Sequence, residues 1–183
     1  MKVAVLSDTH GSVTAWEKAL PLINEAELII HCGDVFNHGP GNPLPEGYAP
    51  AKLAEEMKKI TIPTLVCRGN CDSEVDQLFL NVPLLWPVGL CQVESYRLIF
   101  SHGHLFDLEA WLELGKKWRA TLLFSGHTHQ TLLQKKGGVL WCNPGSLSLP
   151  KTGAACLAMV DLTKKTVAVV EVSTGKNIRE EDF

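Results

Sequence analysis

The stretch KVAVLSDTHG (residues 2–11) joins a short apolar run directly to an aspartate, a histidine and a glycine. Such a run predicts a buried strand, and glycine permits the tight turn and close backbone approach that follow it. Apolar runs lead into polar, glycine-containing clusters at four further places: residues 31–34 (HCGD), 68–72 (RGNCD), 101–104 (SHGH) and 125–129 (SGHTH). This repeated junction predicts both the fold class and the chemistry of the chain.

The first half of the chain alternates strand patterns with helix patterns. Strands are predicted over residues 2–6, 27–32 and 64–67, with helices after Ser12 and around Leu53. A β-α-β-α-β order predicts a parallel sheet with right-handed crossovers.

The second half is richer in strands and contains one predicted helix. We expect Trp111 and Trp118 on that helix to be core anchors, and the acidic tail at residues 180–182 to be a solvated end. Strand patterns occur near residues 90–94, 97–101, 121–125, 130–135, 139–142, 155–161 and 166–172. The chain as a whole predicts a mixed α/β fold with two sheets packed together.

Length and composition exclude several classes of protein. A chain of 183 residues predicts a single domain over residues 1–183, and 45% hydrophobic with 20% charged residues is typical of a globular protein. The net charge of −3 argues against a strongly basic nucleic-acid binder. No apolar run could cross a bilayer, and the N-terminus reaches Asp8 too soon for a signal peptide. We therefore expect a cytoplasmic protein, whose six cysteines, lacking any Cys-x-x-Cys pair, form neither disulfides nor a thiolate zinc site.

The five polar clusters predict a metal centre. The carboxyl ends of parallel strands meet at one edge of a sheet, where ligands bind. A mixed set of carboxylate, amide and imidazole donors suits manganese, iron or zinc, and seven donors are enough for two ions that share a bridging carboxylate. Histidines of a hydrogen-bonded core are the alternative, but four of them buried together would each need partners. The candidate ligands are Asp8, His10, Asp34, Asn70, His102, His127 and His129.

These residues carry a resemblance to a known family. Asp8-x-His10, Gly33-Asp34, Gly69-Asn70, His102-Gly103 and Gly126-His127-x-His129 resemble, in order, the motifs of the calcineurin-like metallophosphoesterase superfamily. The loops resemble those of the YfcE-type bacterial phosphodiesterases, through residues 33–40, 45–50, 70–72 and 143–146.

The resemblance implies a metallophosphoesterase fold, a four-layer α/β/β/α sandwich of two packed mixed sheets. It implies two divalent ions, manganese above all: Asp8, His10 and His129 would hold the first, Asn70, His102 and His127 the second, and Asp34 would bridge them. The implied reaction is the hydrolysis of small phosphodiesters through attack of a metal-bridging hydroxide, with Asn70 and His102 positioning metal and phosphate. A homo-oligomer would also fit the family.

One position departs from the family pattern. Many members carry histidine after the asparagine of the Gly-Asn motif, as a candidate proton donor to the leaving oxygen, but this chain has Cys71. A thiol donates a proton less well than imidazolium, so we expect a preference for good leaving groups. His38 and His104 are alternative proton donors, and Asp72 and Ser146 are expected to orient ligands or shape the loops near the substrate.

Three other functions stay open at this point. The same fold serves as a non-catalytic protein-binding scaffold, although scaffolds tend to lose ligands and all seven are present here. A phosphomonoesterase would use the same donors. A nucleotide diesterase fits better than a nuclease acting on long nucleic acid, because the chain has no basic stripe.

Overall fold

The computed structural model describes all of residues 1–183 as twelve strands and three α-helices. The helices are α1 (Val13–Ile23), α2 (Pro50–Lys58) and α3 (Leu108–Lys117). The strands are β1 (Lys2–Leu6), β2 (Leu28–His31), β3 (Thr64–Cys67), β4 (Leu84–Leu85), β5 (Gly89–Val93), β6 (Tyr96–Phe100), β7 (Leu122–Phe124), β8 (Thr131–Lys136), β9 (Val139–Pro144), β10 (Cys156–Asp161), β11 (Thr166–Glu171) and β12 (Asn177–Asp182). None of the helices has the length and apolar character needed to span a membrane.

The strands form two mixed sheets. The seven-stranded sheet has the order β12-β11-β10-β1-β2-β3-β4, and the five-stranded sheet has the order β5-β6-β7-β9-β8. Strands β1 to β3 are mutually parallel, as predicted from the β-α-β-α-β order, and β4 pairs with β3 in parallel. In the other sheet β6, β7 and β9 are parallel. Each sheet therefore directs several carboxyl ends to one edge.

The alternation of side chains along the strands produces four layers. In β1, Val3 and Val5 pack between the two sheets, whereas Leu6 faces α1 and α2. In β6, Phe100 points into the same space between the sheets while Ile99 packs against Trp111 of α3. Because successive residues of a strand point to opposite faces, each inner strand contributes to two cores. The predicted α/β/β/α sandwich is confirmed.

Three details differ from the sequence-based expectations. The tail at residues 180–182 is exposed, as expected of a solvated end, but it also forms part of β12, an edge strand paired with β11 that was not predicted. Trp111 is a core residue with 2% of its surface exposed, whereas Trp118 is 38% exposed, because it lies just beyond the end of α3. Strand β4 and a 3-10 helix over Glu74–Leu78 were not predicted.

The contact between Gly89 and Phe100 offers a test of the packing between the sheets. A methyl group added at Gly89 would lie 2.2 Å from the Phe100 ring, which is fully buried. We expect Gly89→Ala to lower the free energy of unfolding by about 1–3 kcal/mol through overpacking. In the control, Gly41→Ala, the new methyl meets nothing within 4 Å. Denaturant unfolding measures both, and equal stabilities for the two variants would contradict the packing described.

Candidate metal centre

All five polar clusters lie at the carboxyl ends of parallel strands. Asp8 and His10 follow β1, Asp34 follows β2, Asn70 follows β3, and the other sheet contributes His102 after β6 and His127 and His129 after β7. Main-chain hydrogen bonds tie the loops together: the Asp8 N–H donates to the Gly33 carbonyl at 3.0 Å, and the Gly126 N–H to the His102 carbonyl at 2.9 Å. The site is thus assembled across both sheets.

The backbone at this site is strained. Asp8, His10, Asp34, His127 and His129 all have φ between 47° and 69°. Non-glycine residues rarely adopt this left-handed conformation, and it costs of order 1–3 kcal/mol each where the surroundings impose it. Only three other non-glycine residues of the chain have positive φ. Strain is therefore concentrated on the predicted ligands.

Three histidines are fixed in one tautomer by main-chain carbonyls. Nδ1 of His10 donates to the carbonyl of Asn37 at 2.7 Å, and Nδ1 of His102 donates to that of Cys32 at 2.8 Å. Nδ1 of His129 likewise donates to a carbonyl, that of Leu149, at 2.8 Å. A carbonyl only accepts, so in each neutral ring Nε2 keeps its lone pair. Metal-binding histidines use this same arrangement.

Asp8, His10 and His129 form a first group of acceptors, whose lone pairs converge on one point. Nε2 of His10 lies 3.1 Å from Nε2 of His129, and Asp8 Oδ1 lies 3.6 Å and 3.2 Å from these two nitrogens. Asp8 is fully buried, and its Oδ1 atom has no hydrogen-bond partner. Three acceptor atoms at such distances repel one another unless a cation lies among them.

A second group of acceptors adjoins the first. Nε2 of His102 lies 3.2 Å from Asp34 Oδ2 and 3.0 Å from Asn70 Oδ1. The Asn70 amide nitrogen donates to Cys71 Sγ at 3.2 Å, so the oxygen is the end that faces His102. Asp34 Oδ2 is also 3.9 Å from Nε2 of His10 in the first group. Asp34 therefore lies between the two groups.

The donor set fits divalent metal ions. Three groups of histidine, cysteine and aspartate side chains have donor atoms within 4.8 Å of one another: Asp8-His10-His129, Asp8-Asp34-His102 and His10-Asp34-Cys71. Oxygen and imidazole donors in two adjoining groups match manganese, iron or zinc rather than calcium. The orphaned Asp8 Oδ1 and the facing histidine nitrogens are the observations that fit a bound cation.

The charges of the site favour its ionised carboxylates. Burial alone would raise the pKa of Asp8, but the adjacent His10 and His129 rings hold it well below its usual range. Burial opposes the charged form of Asp34 too, but His102 lowers its pKa. Burial alone would lower the pKa of His102, yet Asp34 and Asp8 raise it to about 9. The two carboxylates thus supply a localised negative charge for which protons and metal ions compete.

Asp72 holds two of the ligand loops together. Its buried carboxylate accepts hydrogen bonds from the backbone N–H groups of Asp34, Val35 and Gly69 at 2.7–2.8 Å. Burial nevertheless raises its pKa. The Gly69 backbone approaches so closely that an added methyl would lie 2.0 Å from Asp34 Oδ1. Asp72 therefore lies beside Asp34 rather than within the converging acceptors.

The loop after β9 supports Asp8 from behind. The Ser146 and Ser148 hydroxyls both donate to the main-chain carbonyl of Asp8, at 2.8 Å and 3.0 Å. Asn143 donates to the carbonyl of Gly126 at 2.7 Å. The sequence pattern drew attention to Ser146 and Asn143 but missed Ser148, which carries no motif signal.

His31 lies behind the site and outside the converging groups. The Gly33 N–H donates to its Nδ1 atom at 3.1 Å, so its Nε2–H donates to the Thr9 hydroxyl at 2.7 Å. Burial lowers its pKa to about 4, which keeps the ring neutral. Both ring nitrogens are used, so His31 has no lone pair for a metal.

Four further predicted residues do not belong to the two groups of acceptors. His127 is exposed, with its ring 5.2 Å from that of His102, so it lies outside the compact clusters. The ring of His104 lies 5.3 Å from that of His102. His38 packs edge-on against Tyr48 at 5.2 Å. Burial and the charge of Asp34 raise the pKa of the Cys71 thiol, the fourth of these residues, to about 12.

Comparisons with known proteins agree with this geometry. The family model of the calcineurin-like phosphoesterase superfamily domain matches residues 1–165. The chain is 43% identical over 164 residues to the phosphodiesterase YfcE of Escherichia coli strain K12, covering 88% of both chains.

Solved structures share the fold. The YfcE phosphoesterase of E. coli superposes with a TM-score of 0.87 at 37% identity, covering 99% of this chain and 98% of that one. The vacuolar protein sorting 29 protein of Cryptosporidium parvum, at 17% identity, has a TM-score of 0.71 over 100% of this chain and 97% of its own, which shows the fold alone. The match to the family model and the identity to YfcE establish that the chain belongs to the calcineurin-like phosphoesterase superfamily.

Proposed function

We propose that the chain hydrolyses small phosphodiesters with two divalent ions, which we assign as manganese. Membership of the phosphoesterase superfamily and 43% identity to a named phosphodiesterase support the reaction class. The observation that carries the proposal is the pair of acceptor groups with Asp34 between them, because two adjoining cations form the arrangement that clamps the oxygens of a phosphoryl displacement. Manganese suits this mixture of oxygen and imidazole donors.

The ligand assignment follows the two groups. Asp8, His10 and His129 would hold one ion, whose donors are the three converging atoms described above. His102 and Asn70 would hold the other, together with His127, whose ring lies beside that of His102. Asp34 would bridge the two sites.

The metal ions and the side chains around them would have different roles in the reaction. When bound, the two ions supply Lewis acidity that activates water and neutralises the charge of the phosphoryl oxygens. Asn70 and His127 are exposed at the open side of the site, where Asn70 would orient a phosphoryl oxygen. Asp8 and His129 lie beneath them and are buried. The phosphodiester would therefore approach from the side of Asn70 and His127.

Proton delivery to the leaving oxygen is the weak step of this site. The raised pKa of Cys71 makes its thiol a poor acid near neutral pH. His104 is the better placed of the two histidine candidates, but burial and the charges of His102 and His127 lower its pKa and favour the neutral ring. Esters whose leaving group needs no proton, such as nitrophenyl esters, should therefore react best.

The proposed substrate is a small ester rather than a polynucleotide. With a net charge of −3, the chain has no overall positive charge to attract the phosphates of a long nucleic acid. The complete set of donors and the named phosphodiesterase relatives favour an enzyme over a protein-binding scaffold. A cytoplasmic location and self-association stay predictions.

Asp34→Asn tests the bridging assignment. The amide loses the negative charge between the two acceptor groups, so we expect kcat for bis(p-nitrophenyl) phosphate to fall about a thousandfold. Elemental analysis should find no more than one tightly held ion per chain. Asp182→Asn, on the exposed edge strand β12, is the control and should retain two ions and full activity. Full activity of Asp34→Asn would refute the assignment.

Metal removal tests the cofactor. Protein freed of metal by a chelator should be inactive, and activity should return as about two equivalents of Mn²⁺ are added. Bound ions should also raise the melting temperature, because they bind only the folded site. Activity that persists after complete metal removal, or that saturates at one equivalent, would contradict a two-ion centre.

Cys71→His tests the missing proton donor. We expect the imidazole to raise kcat for esters with alkyl leaving groups by about 10²-fold, since general acid catalysis contributes that much, while nitrophenyl esters change little. Cys71→Ser, which supplies no better acid, is the matched control and should keep the original preference. The rate can be plotted against leaving-group pKa for the unchanged protein and both variants. Equal slopes for all three would show that Cys71 does not determine the preference for good leaving groups.

A further inference from the structure

The carbonyl that orients His10 belongs to a long loop. Strand β2 ends at His31 and α2 begins at Pro50, and residues 32–47 between them contain no helix or strand. Within this stretch, the carbonyl of Asn37 accepts the Nδ1 proton of His10 at 2.7 Å. A loop of this length keeps one conformation only where contacts with the rest of the protein hold it. The orientation of the His10 ring therefore depends on what fixes Asn37.

One side chain supplies the remaining hydrogen bond of Asn37. Nδ2 of Asn37 donates to Asp76 Oδ2 at 3.2 Å, and Asn37 forms no other hydrogen bond besides the one with His10. Phe36 is buried in the core and fixes the chain up to that residue. The direction of the Asn37 carbonyl, however, is set by rotation of the peptide plane that follows, in which the N–H of His38 forms no main-chain hydrogen bond. Apart from His10 itself, Asp76 is therefore the hydrogen-bond partner that holds Asn37.

Asp76 is itself held in place. It is 6% exposed, and its Oδ2 atom also accepts the N–H of Ser73 at 2.8 Å, at the start of the 3-10 helix. This helix begins two residues after Asp72, whose carboxylate holds the main chain at Asp34. The same short segment thus holds the loop after β2 at two points, one beside Asp34 and one at Asn37.

Packing does not replace the hydrogen bond between Asn37 and Asp76. Both residues line a cavity of about 230 Å³, together with Phe36 and Phe79. Asn37 is half-buried, and the cavity leaves its side chain room to rotate once the amide is released. A released side chain gains rotamer freedom, so entropy favours its movement. The hydrogen bond to Asp76 is therefore what keeps Asn37, and the peptide after it, in a single orientation.

We propose that Asp76 is a positioning residue for the ion that His10 would bind: acting through Asn37, it keeps Nε2 of His10 directed at that ion. This role rests on the ligand assignment of the proposed function. With its Nδ1 proton on the Asn37 carbonyl, the neutral ring has its lone pair on Nε2. If the carbonyl turns away, the ring can rotate or carry its proton on Nε2, and the ion then loses a ligand. Partners that orient a metal-binding histidine contribute about 10- to 100-fold in metal affinity, and we expect the lower end because Asp76 acts through a second residue.

Mn²⁺ binding to the chelator-treated protein tests this role. Asp76→Ala removes the acceptor, so we expect the dissociation constant of one ion to rise about tenfold and that of the other to stay within about twofold. The step that weakens should be the one that His10→Ala abolishes. Asp76→Asn keeps an oxygen that can accept both N–H groups, so its dissociation constants should stay within about threefold of the original. Calorimetric titration measures both steps.

Asp161→Ala is the matched control. Asp161 also accepts main-chain N–H groups, those of Thr163 and Lys164 at 3.0 Å. It lies opposite Lys2, at the far end of β1 from Asp8. This variant should keep both dissociation constants. An equal loss of Mn²⁺ affinity in Asp161→Ala and Asp76→Ala would overturn the proposal.

Asn37→Ala tests whether Asp76 acts through the asparagine. This variant keeps the carbonyl that His10 uses and removes only the amide that Asp76 holds, so binding of the same ion should weaken by a similar factor. The double variant should bind no more weakly than either single variant, whereas independent effects would add. Additive losses would overturn the proposal. Asn37 is half-buried in a loop, so unchanged Mn²⁺ affinity in Asn37→Ala would refute it even if Asp76→Ala does not fold.

Hydrogen exchange separates this proposal from the catalytic one. The Nδ1 proton of His10 gives the ring signal that His10→Ala removes from the spectrum of the metal-free protein, and it should exchange with water about tenfold faster in Asp76→Ala. The Nδ1 proton of His129, held by the Leu149 carbonyl, is the internal reference and should keep its rate. Faster exchange at His10 alone, in a protein that hydrolyses no phosphodiester, would refute the proposed reaction but support the role of Asp76. An unchanged exchange rate at His10 in a folded Asp76→Ala variant would refute that role.

Discussion

Two nitrogen lone pairs, on Nε2 of His10 and Nε2 of His129, are held 3.1 Å apart against a buried carboxylate. Neither ring can turn away, because its Nδ1 proton is committed to a main-chain carbonyl. At the low dielectric of a protein interior, acceptors this close repel one another strongly, and only a shared proton or a cation relieves the repulsion. The rest of the structure is arranged to keep these atoms together.

The two sheets provide the rigidity that this arrangement requires. Five of the predicted ligands occupy left-handed backbone conformations, which together cost several kcal/mol. Local sequence does not favour such conformations, so they persist because hydrogen bonds between the loops and the packed strands below leave no alternative. Asp72 illustrates this, since one carboxylate receives N–H groups from the loops after both β2 and β3. The ligand side chains add to these contacts: the His127 N–H donates to Asp8 Oδ2 and the Cys71 N–H to Asp34 Oδ1.

The sequence predicts the positions of the strands that carry the site because each of them ends in an abrupt change from apolar to polar residues. It does not predict β4 or β12, for two different reasons. Strand β4 has two residues and exists only through its pairing with β3. Strand β12 is exposed along its length and pairs through its backbone with β11, so its side chains carry no apolar alternation. Burial patterns identify strands that form a core, not strands added at an edge.

The sequence likewise predicts some features of the site and not others. Residue types and their spacing identify the converging side chains, because only a few side chains bind metals and they recur at strand ends. The carbonyls of Asn37 and Leu149 that orient the histidines cannot be predicted in this way, because every residue has a carbonyl. The unpaired N–H of Trp111 is hidden for the same reason: an amphipathic helix pattern predicts a buried indole but not whether its donor finds an acceptor.

A phosphodiester has two ester groups, and the proposed reaction makes different demands on each of them. In the proposed reaction the group that leaves would meet Cys71, a half-buried thiol whose pKa is raised, so the acidity of the leaving group would limit the rate. The group that stays gains nothing from acidity and can be selected only by shape and hydrogen bonding. The phosphoryl group between the two ester groups is common to all diesters. Metal ions that bind its oxygens would therefore not distinguish one diester from another. In the proposed reaction, selectivity among diesters would therefore come from the residues that surround the metal ligands, with the weakly acidic thiol of Cys71 discriminating between leaving groups.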